Sequence, residues 1–334
     1  MLTRLQNRQA GLAFIFVTLF LDVLGLGIII PVLPQLVTQF VGGDVSAAST
    51  YFGWLISLYA LMQFLFAPLF GSLSDRFGRR PVILAALFGS GVDQLVIAFA
   101  PTLPWLFLGR IIAGITGASI IPANAYIADV TPPEKRAQSF GLVGAAFGLG
   151  FIVGPAIGGI LGSVGPRVPF LAATAITLLN WLYGFFVLPE SLKPEYRRPV
   201  SWSRANPLAS VTNLTRYPVV FGLTGTIIAL SLAQQALQST WVLYTSYRYA
   251  WTSLQNGLSL ALVGVVAAVV QGGLIRTLIP RLGERRAVML GLGIAIVTYL
   301  LYGLASQGWM MYAIIFIGGL GAIAVPATQG LMSR

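Results

Sequence analysis

Ten apolar stretches of about twenty residues recur along this 334-residue chain, near 12–33, 50–70, 81–100, 104–128, 137–162, 168–188, 217–240, 252–275, 286–305 and 309–330. Wound as an α-helix, a stretch of that length crosses the roughly 30 Å hydrocarbon layer of a bilayer. Backbone polar groups find no water there, so long apolar runs satisfy them internally as helices. Composition agrees: the chain is 57% hydrophobic and only 9% charged, with a mean hydropathy of +0.84. A soluble domain carries about a quarter charged residues. The expected fold class is an all-α integral membrane protein, with the lipid bilayer as its solvent. The first stretch is too long for a cleaved signal peptide, contains Asp22 and lacks a small-residue cleavage site.

The chain has 20 Lys and Arg against 9 Asp and Glu, a net charge of +11, and neither His nor Cys. Such a balance can mark a nucleic-acid binder, but here the basic residues fall between apolar runs, so no nucleic-acid partner is expected. Disulfides, thiolate metal sites, histidine bases and the common zinc sites are excluded, and no metal site is expected. With the N-terminus in the cytoplasm, the inner segments hold the arginine groups around Arg4, Arg76, Arg197, Arg281 and Arg285, while the outer loops hold only Arg167 and Arg248. That asymmetry satisfies the positive-inside rule.

The longest polar stretch, 189–216, contains four prolines and reads as a cytoplasmic linker between a six-helix unit, 1–188, and a second unit, 217–334. Arg76-Phe-Gly78 recurs as Arg281-Leu-Gly283, as a parallel internal repeat predicts.

Three charges lie inside the predicted spans: Asp22, Asp93 and Arg110. An ion in hydrocarbon is costly and normally faces the bundle interior or a wet cavity. The two carboxylates are placed to take up and release protons; a structural hydrogen bond is the alternative. Arg110, Gly114, Gly117 and Asn124 share one helical face. It reads either as a cavity stripe with Arg110 paired to a carboxylate, or as an arginine snorkelling to the outer surface. Gln63, Gln234 and Gln238 could orient an apolar ligand or join helices. Trp241, Tyr244 and Tyr247 read as an interfacial aromatic belt, with an outer gate as the alternative.

Two patterns carry a family resemblance. Gly71, Asp75, Arg76, Gly78, Arg79 and Arg80 form a short charged loop between the second and third spans. This resembles the signature loop of the major facilitator superfamily of transporters. Gly141, Gly150, Gly154, Pro155, Gly158 and Gly159 in the fifth span resemble the helix motif of that superfamily's drug/proton antiporters. Physically, such small residues let helices approach closely, and Pro155 removes one backbone bond and bends its helix.

Leu21-Asp22 with Gly25, Gly27 and Pro31-Val-Leu-Pro34, then Leu58 to Gln63, Asp93 and Trp241-Val-Leu-Tyr244 are similar to the tetracycline/proton antiporter group. The resemblance implies a multi-pass protein of a bacterial-type inner membrane. It would exchange a small-molecule drug, carried as a metal chelate, for protons, without a bound cofactor and without being an enzyme. It also implies that Asp22 and Asp93 line the route, that Asp75 and Arg79 serve gating, and that Asp75 latches the first unit to the end of an eleventh helix.

The chain departs from the group's pattern where Ala267 and Ala295 stand in place of a histidine and an aspartate. It also supplies ten of the usual twelve helices. A transport-inactive membrane protein and an exporter of another small molecule are therefore the competing expectations.

Overall fold

The computed structural model describes residues 2–117, 120–132, 136–199, 218–270, 273, 278, 281–324 and 328. Among them the chain forms helices α1 (Leu2–Ile29), α2 (Leu33–Phe40), α3 (Val45–Phe77), α4 (Arg79–Ala98), α5 (Leu103–Thr116), α6 (Ile120–Val130), α7 (Arg136–Val164), α8 (Val168–Val187), α9 (Pro218–Tyr249), α10 (Ser253–Val269), α11 (Glu284–Leu304) and α12 (Gly308–Gly321). No strand occurs among the described residues. Among the described residues seven spans are long and apolar enough to cross a membrane; α1 joins α2 in one of them and α5 joins α6 in another, and α10 and α12 are shorter apolar helices.

Helix starts follow from local chemistry. Asp44 caps α3, its Oδ1 accepting from the N–H groups of Ser46 at 2.8 Å and Ala47 at 3.2 Å. Thr252 and Gln255 form a reciprocal capping box on α10. Each satisfies donors that have no partner within the helix.

The charged segment 71–80, expected as a loop, is almost wholly helical. Residues up to Phe77 are the last turns of α3, and Arg79 and Arg80 open α4. Only Gly78 lies between, at φ +106°, a conformation open to glycine and strained for other residues. Gly283, at φ +77°, makes the corresponding break before α11. The start of the expected linker is also held in place. Leu192 is buried, and the backbone N–H of Arg198 donates to the Asp75 carbonyl at 3.0 Å. Residues 200–217, the rest of that linker, lie outside the described residues.

One hydrophobic cluster joins α1, α2, α3, α4, α5 and α8 around Ile28, Leu36, Leu55 and Phe170, and also takes in Leu243 of α9. A second binds α1, α4, α6 and α7 through Ile15, Ile83, Tyr126 and Ala146. A third fills the space among α9 to α12. Asn180 of α8 donates to the Thr18 carbonyl of α1 at 3.2 Å.

Candidate functional site

Asp93 and Arg110 face each other inside the first eight helices. Arg110 Nη2 donates to Asp93 Oδ2 at 3.1 Å, and the two residues are 9% and 3% exposed respectively. The arginine does not reach the surface; it satisfies the reading in which it pairs with a carboxylate. Asp93 Oδ1 has no hydrogen-bond partner among the described residues. It lies against α5 at Gly109, where an added Cβ would stand 2.8 Å from it. The missing side chain at 109 therefore lets α4 and α5 approach closely enough for the pair to form. Next to Asp93, Gln94 accepts from Thr177 Oγ1 at 3.1 Å, so this polar layer continues into α8.

Asp22 on α1 is half-buried, and no hydrogen bond to it is found among the described residues. It nevertheless belongs to the same neighbourhood: Asp22, Asp93 and Arg110 all act electrostatically on the Tyr59 hydroxyl of α3. Tyr59 was not singled out in the sequence. Its place in an apolar run gives no signal; its i,i+4 spacing to Gln63 is the one hint.

Where the cavity reading expects open space, the face carrying Arg110, Gly114 and Gly117 packs against Tyr59 of α3. A Cβ at Gly114 would stand 2.6 Å from the Tyr59 carbonyl oxygen, and one at Gly117 would stand 2.9 Å from the Tyr59 hydroxyl. The glycines admit α3 instead. Gln63 makes an interhelical bond, donating to the Gly117 carbonyl at 3.1 Å. Asn124 is half-buried on α6. Gln234 and Gln238 are exposed on α9 and are not drawn to the Asp93–Arg110 pair.

Of the three residues of the expected aromatic belt, Trp241 belongs to the core. Trp241 is 4% exposed, packs edge-on against Trp251 and Tyr302, and donates from Nε1 to Ser259 Oγ at 3.0 Å. Tyr244 is half-buried, and Tyr247 alone of the three is exposed. An indole whose N–H has a partner on the next helix can be buried at little cost.

The glycine pattern of α7 is a junction of three helices. Gly150 packs on Val23 and Leu24, Gly154 on Gly27, and Gly158 on the Ile28 backbone, all of α1. Gly159 faces the other way, where a Cβ would stand 2.7 Å from the Ser253 carbonyl oxygen of α10. Gly257 of α10 meets the Pro155 carbonyl, and Gly264 meets Ile152. The α7 helix continues unbroken through Pro155. The surroundings of Gly141 lie outside the described residues.

At this end of the bundle Ser253 Oγ donates to Gln35 Oε1 at 2.6 Å, and a cavity of about 210 Å³ opens beside it between α2 and α9. At the opposite end, Gly144 and Gly148 of α7 and Gly225 of α9 have no described neighbour within 4 Å of an added Cβ.

The α3–α4 junction is a charge cluster. Arg79 pairs with Asp75 at 2.6 Å and with Asp129 at 3.3 Å, and donates to Ser74 Oγ at 2.6 Å. Glu190 accepts from the N–H groups of Arg79 at 2.9 Å and Arg80 at 3.3 Å. A carboxylate at a helix N-terminus is favourably placed, and Glu190 occupies the space a side chain at Gly78 would take. Arg80 Nη2 donates to the Phe185 carbonyl at 2.6 Å. Arg76 stacks on Phe77, and Gly71 lies beside Ile121 of α6. Asp129 and Glu190 were not picked out from the sequence.

Residues 15–334 match the Major Facilitator Superfamily profile. The chain belongs to the Major Facilitator Superfamily. It is 41% identical to the class C tetracycline resistance protein of Escherichia coli over 97% of this chain and 81% of that one. It is 39% identical to the class E protein of Escherichia coli over 98% and 80%. The human organic anion transporter MFSD10 (TETRAN) superposes with a TM-score of 0.70 at 26% identity, covering 97% of this chain and 85% of that chain. A bacterial homolog of the human lysosomal transporter Spinster gives 0.79 at 19% identity, over 98% and 75%, and shares the fold alone. As a Major Facilitator Superfamily member the chain is a multi-pass membrane transporter.

Proposed function

We propose that the protein exports tetracycline-like amphipathic drugs across a bacterial inner membrane in exchange for protons, by alternating access between residues 1–188 and 217–334. The observation that carries the reading is the buried Asp93–Arg110 pair, whose Oδ1 has no partner among the described residues. One carboxylate oxygen is held by the arginine and the other is left to take a proton. Protonation removes the charge that binds Arg110, so proton occupancy changes how α4 and α5 are held together. Asp22 supplies a second intramembrane carboxylate in the same neighbourhood. The names of the relatives supply the cargo class. With Ala267 and Ala295 at the second-unit positions, coupling rests on Asp22 and Asp93.

With the N-terminus cytoplasmic, the end closed by α7, α10, Gln35 and Ser253 is the outer one. This arrangement then corresponds to the state open to the cytoplasm. Asp75 and Arg79 act with Asp129 and Glu190 as a gating cluster on the inner side.

The test is reconstitution into liposomes with an imposed pH gradient and radiolabelled tetracycline with Mg²⁺. Accumulation that collapses with a protonophore supports the reading. Accumulation of other amphipathic drugs without tetracycline would assign a different cargo, and no proton-dependent flux of any drug would reject antiport.

A further inference from the structure

Arg110 has a second partner besides Asp93. Its Cζ lies 5.9 Å from the centre of the Tyr59 ring, within cation–π range. The ring is held there by α5 itself. Gly114 admits the Tyr59 backbone and Gly117 admits its hydroxyl, so the ring lies along the Arg110–Gly114–Gly117 face, with Gln63 Nε2 3.4 Å from the hydroxyl. The guanidinium thus stands between a carboxylate and an aromatic face.

We propose that Tyr59 is a positioning residue whose ring face holds the Arg110 guanidinium when the Asp93 carboxylate is neutral. The proposal deepens the antiport reading, on which Asp93 alternates between charged and protonated forms. A buried cation that loses its only carboxylate is strongly destabilising. An aromatic face offers it a partner that does not titrate with the acid, because the ring quadrupole attracts the cation regardless of Asp93. Arg110 then stays in register through the proton cycle. Tyr59 of α3 faces Arg110, and Gln94, next to Asp93, joins Thr177 of α8. Asp22 of α1 lies within electrostatic reach of the Tyr59 hydroxyl and makes no ion pair with Arg110 among the described residues. The α8 helix contributes no charged residue, and Asp129 of α6 is engaged at the Arg79 end.

The experiment is a thermal-melt cycle on the purified protein, with Asp93→Asn standing in for the neutral acid. Tyr59→Leu and Tyr59→Phe are each made alone and with Asp93→Asn. The expected result is that Asp93→Asn/Tyr59→Leu melts about 2–4 °C below the sum of its single changes. Asp93→Asn/Tyr59→Phe is additive, because phenylalanine keeps the ring. The extra loss disappears when Arg110→Gln is added. If leucine prevents folding, Tyr59→Met gives the same comparison with more of the space filled. Additivity for leucine or methionine overturns the proposal. Equal coupling for phenylalanine also overturns it, in favour of the hydroxyl. Because the cycle contains no cargo, failure of tetracycline transport and failure of the Tyr59 role are read separately.

Discussion

Arg110 Nη2 and Asp93 Oδ2 meet at 3.1 Å in a site that Gly109 keeps narrow, and the second oxygen of that carboxylate has no described partner. Arg110 holds one oxygen of the carboxylate and leaves the other open, the arrangement on which the proposed proton uptake rests. Removing one member of a buried pair strands the other charge and typically costs about 3–5 kcal/mol, whereas removing both costs far less. Asp93→Leu and Arg110→Leu are therefore each expected to lower the melting temperature sharply, and the double change should recover much of the loss. Differential scanning fluorimetry of the three variants checks this.

The α7 junction makes a contrast between neighbouring glycines. Gly158 lies on the Ile28 backbone, whereas Gly148, on the same helix, has no described neighbour within 4 Å of an added Cβ. Gly158→Ala is expected to cost about 1–3 kcal/mol by overpacking and to slow transport. Gly148→Ala should be neutral or slightly stabilising, since alanine favours helix. Melting temperature and drug flux, measured together, test both.

Gln35 and Ser253 are joined at 2.6 Å between α2 and α10. The chain contains no cysteine, so introduced thiols have no background. Gln35→Cys/Ser253→Cys is expected to react with a short bifunctional thiol reagent, retard the chain's mobility after intervening proteolysis, and stop transport until a cleavable linker is cut. Flux that continues through the cross-linked protein would show that this contact need not open.

Glu190 accepts from both N–H groups that start α4, over a glycine at positive φ. Loss of such a cap costs about 0.5–2 kcal/mol. Glu190→Ala should fall in that range, and Gly78→Ala should cost at least as much, since it adds backbone strain and displaces Glu190. Combining the two should be less than additive, because each removes the same contact. A melt cycle measures the coupling.

Much of this was legible in the residues because lipid makes polarity conspicuous. Asp22, Asp93 and Arg110 stand out in apolar runs, and the glycine pattern of α7 announces close packing. The rest depends on who meets whom. Glu190 and Asp129 look like ordinary loop and helix-end acids until the fold brings both to Arg79. Tyr59 and Trp241 sit in runs where an aromatic could equally face lipid or core; the glycines of a different helix decide it for Tyr59, and Ser259 decides it for Trp241. Ser253 and Gln35 are separated by 218 positions, and no local pattern links them. The 71–80 segment reads as a loop because its charges mask a helix interrupted only at Gly78.

The central claim is that proton coupling runs through Asp22 and Asp93. Its most direct test is pH-gradient-driven tetracycline uptake into everted vesicles carrying the parent, Asp22→Asn or Asp93→Asn protein at matched membrane levels. The account predicts uptake by the parent and loss of gradient-driven accumulation in both variants. Variants that accumulate drug as well as the parent would contradict it.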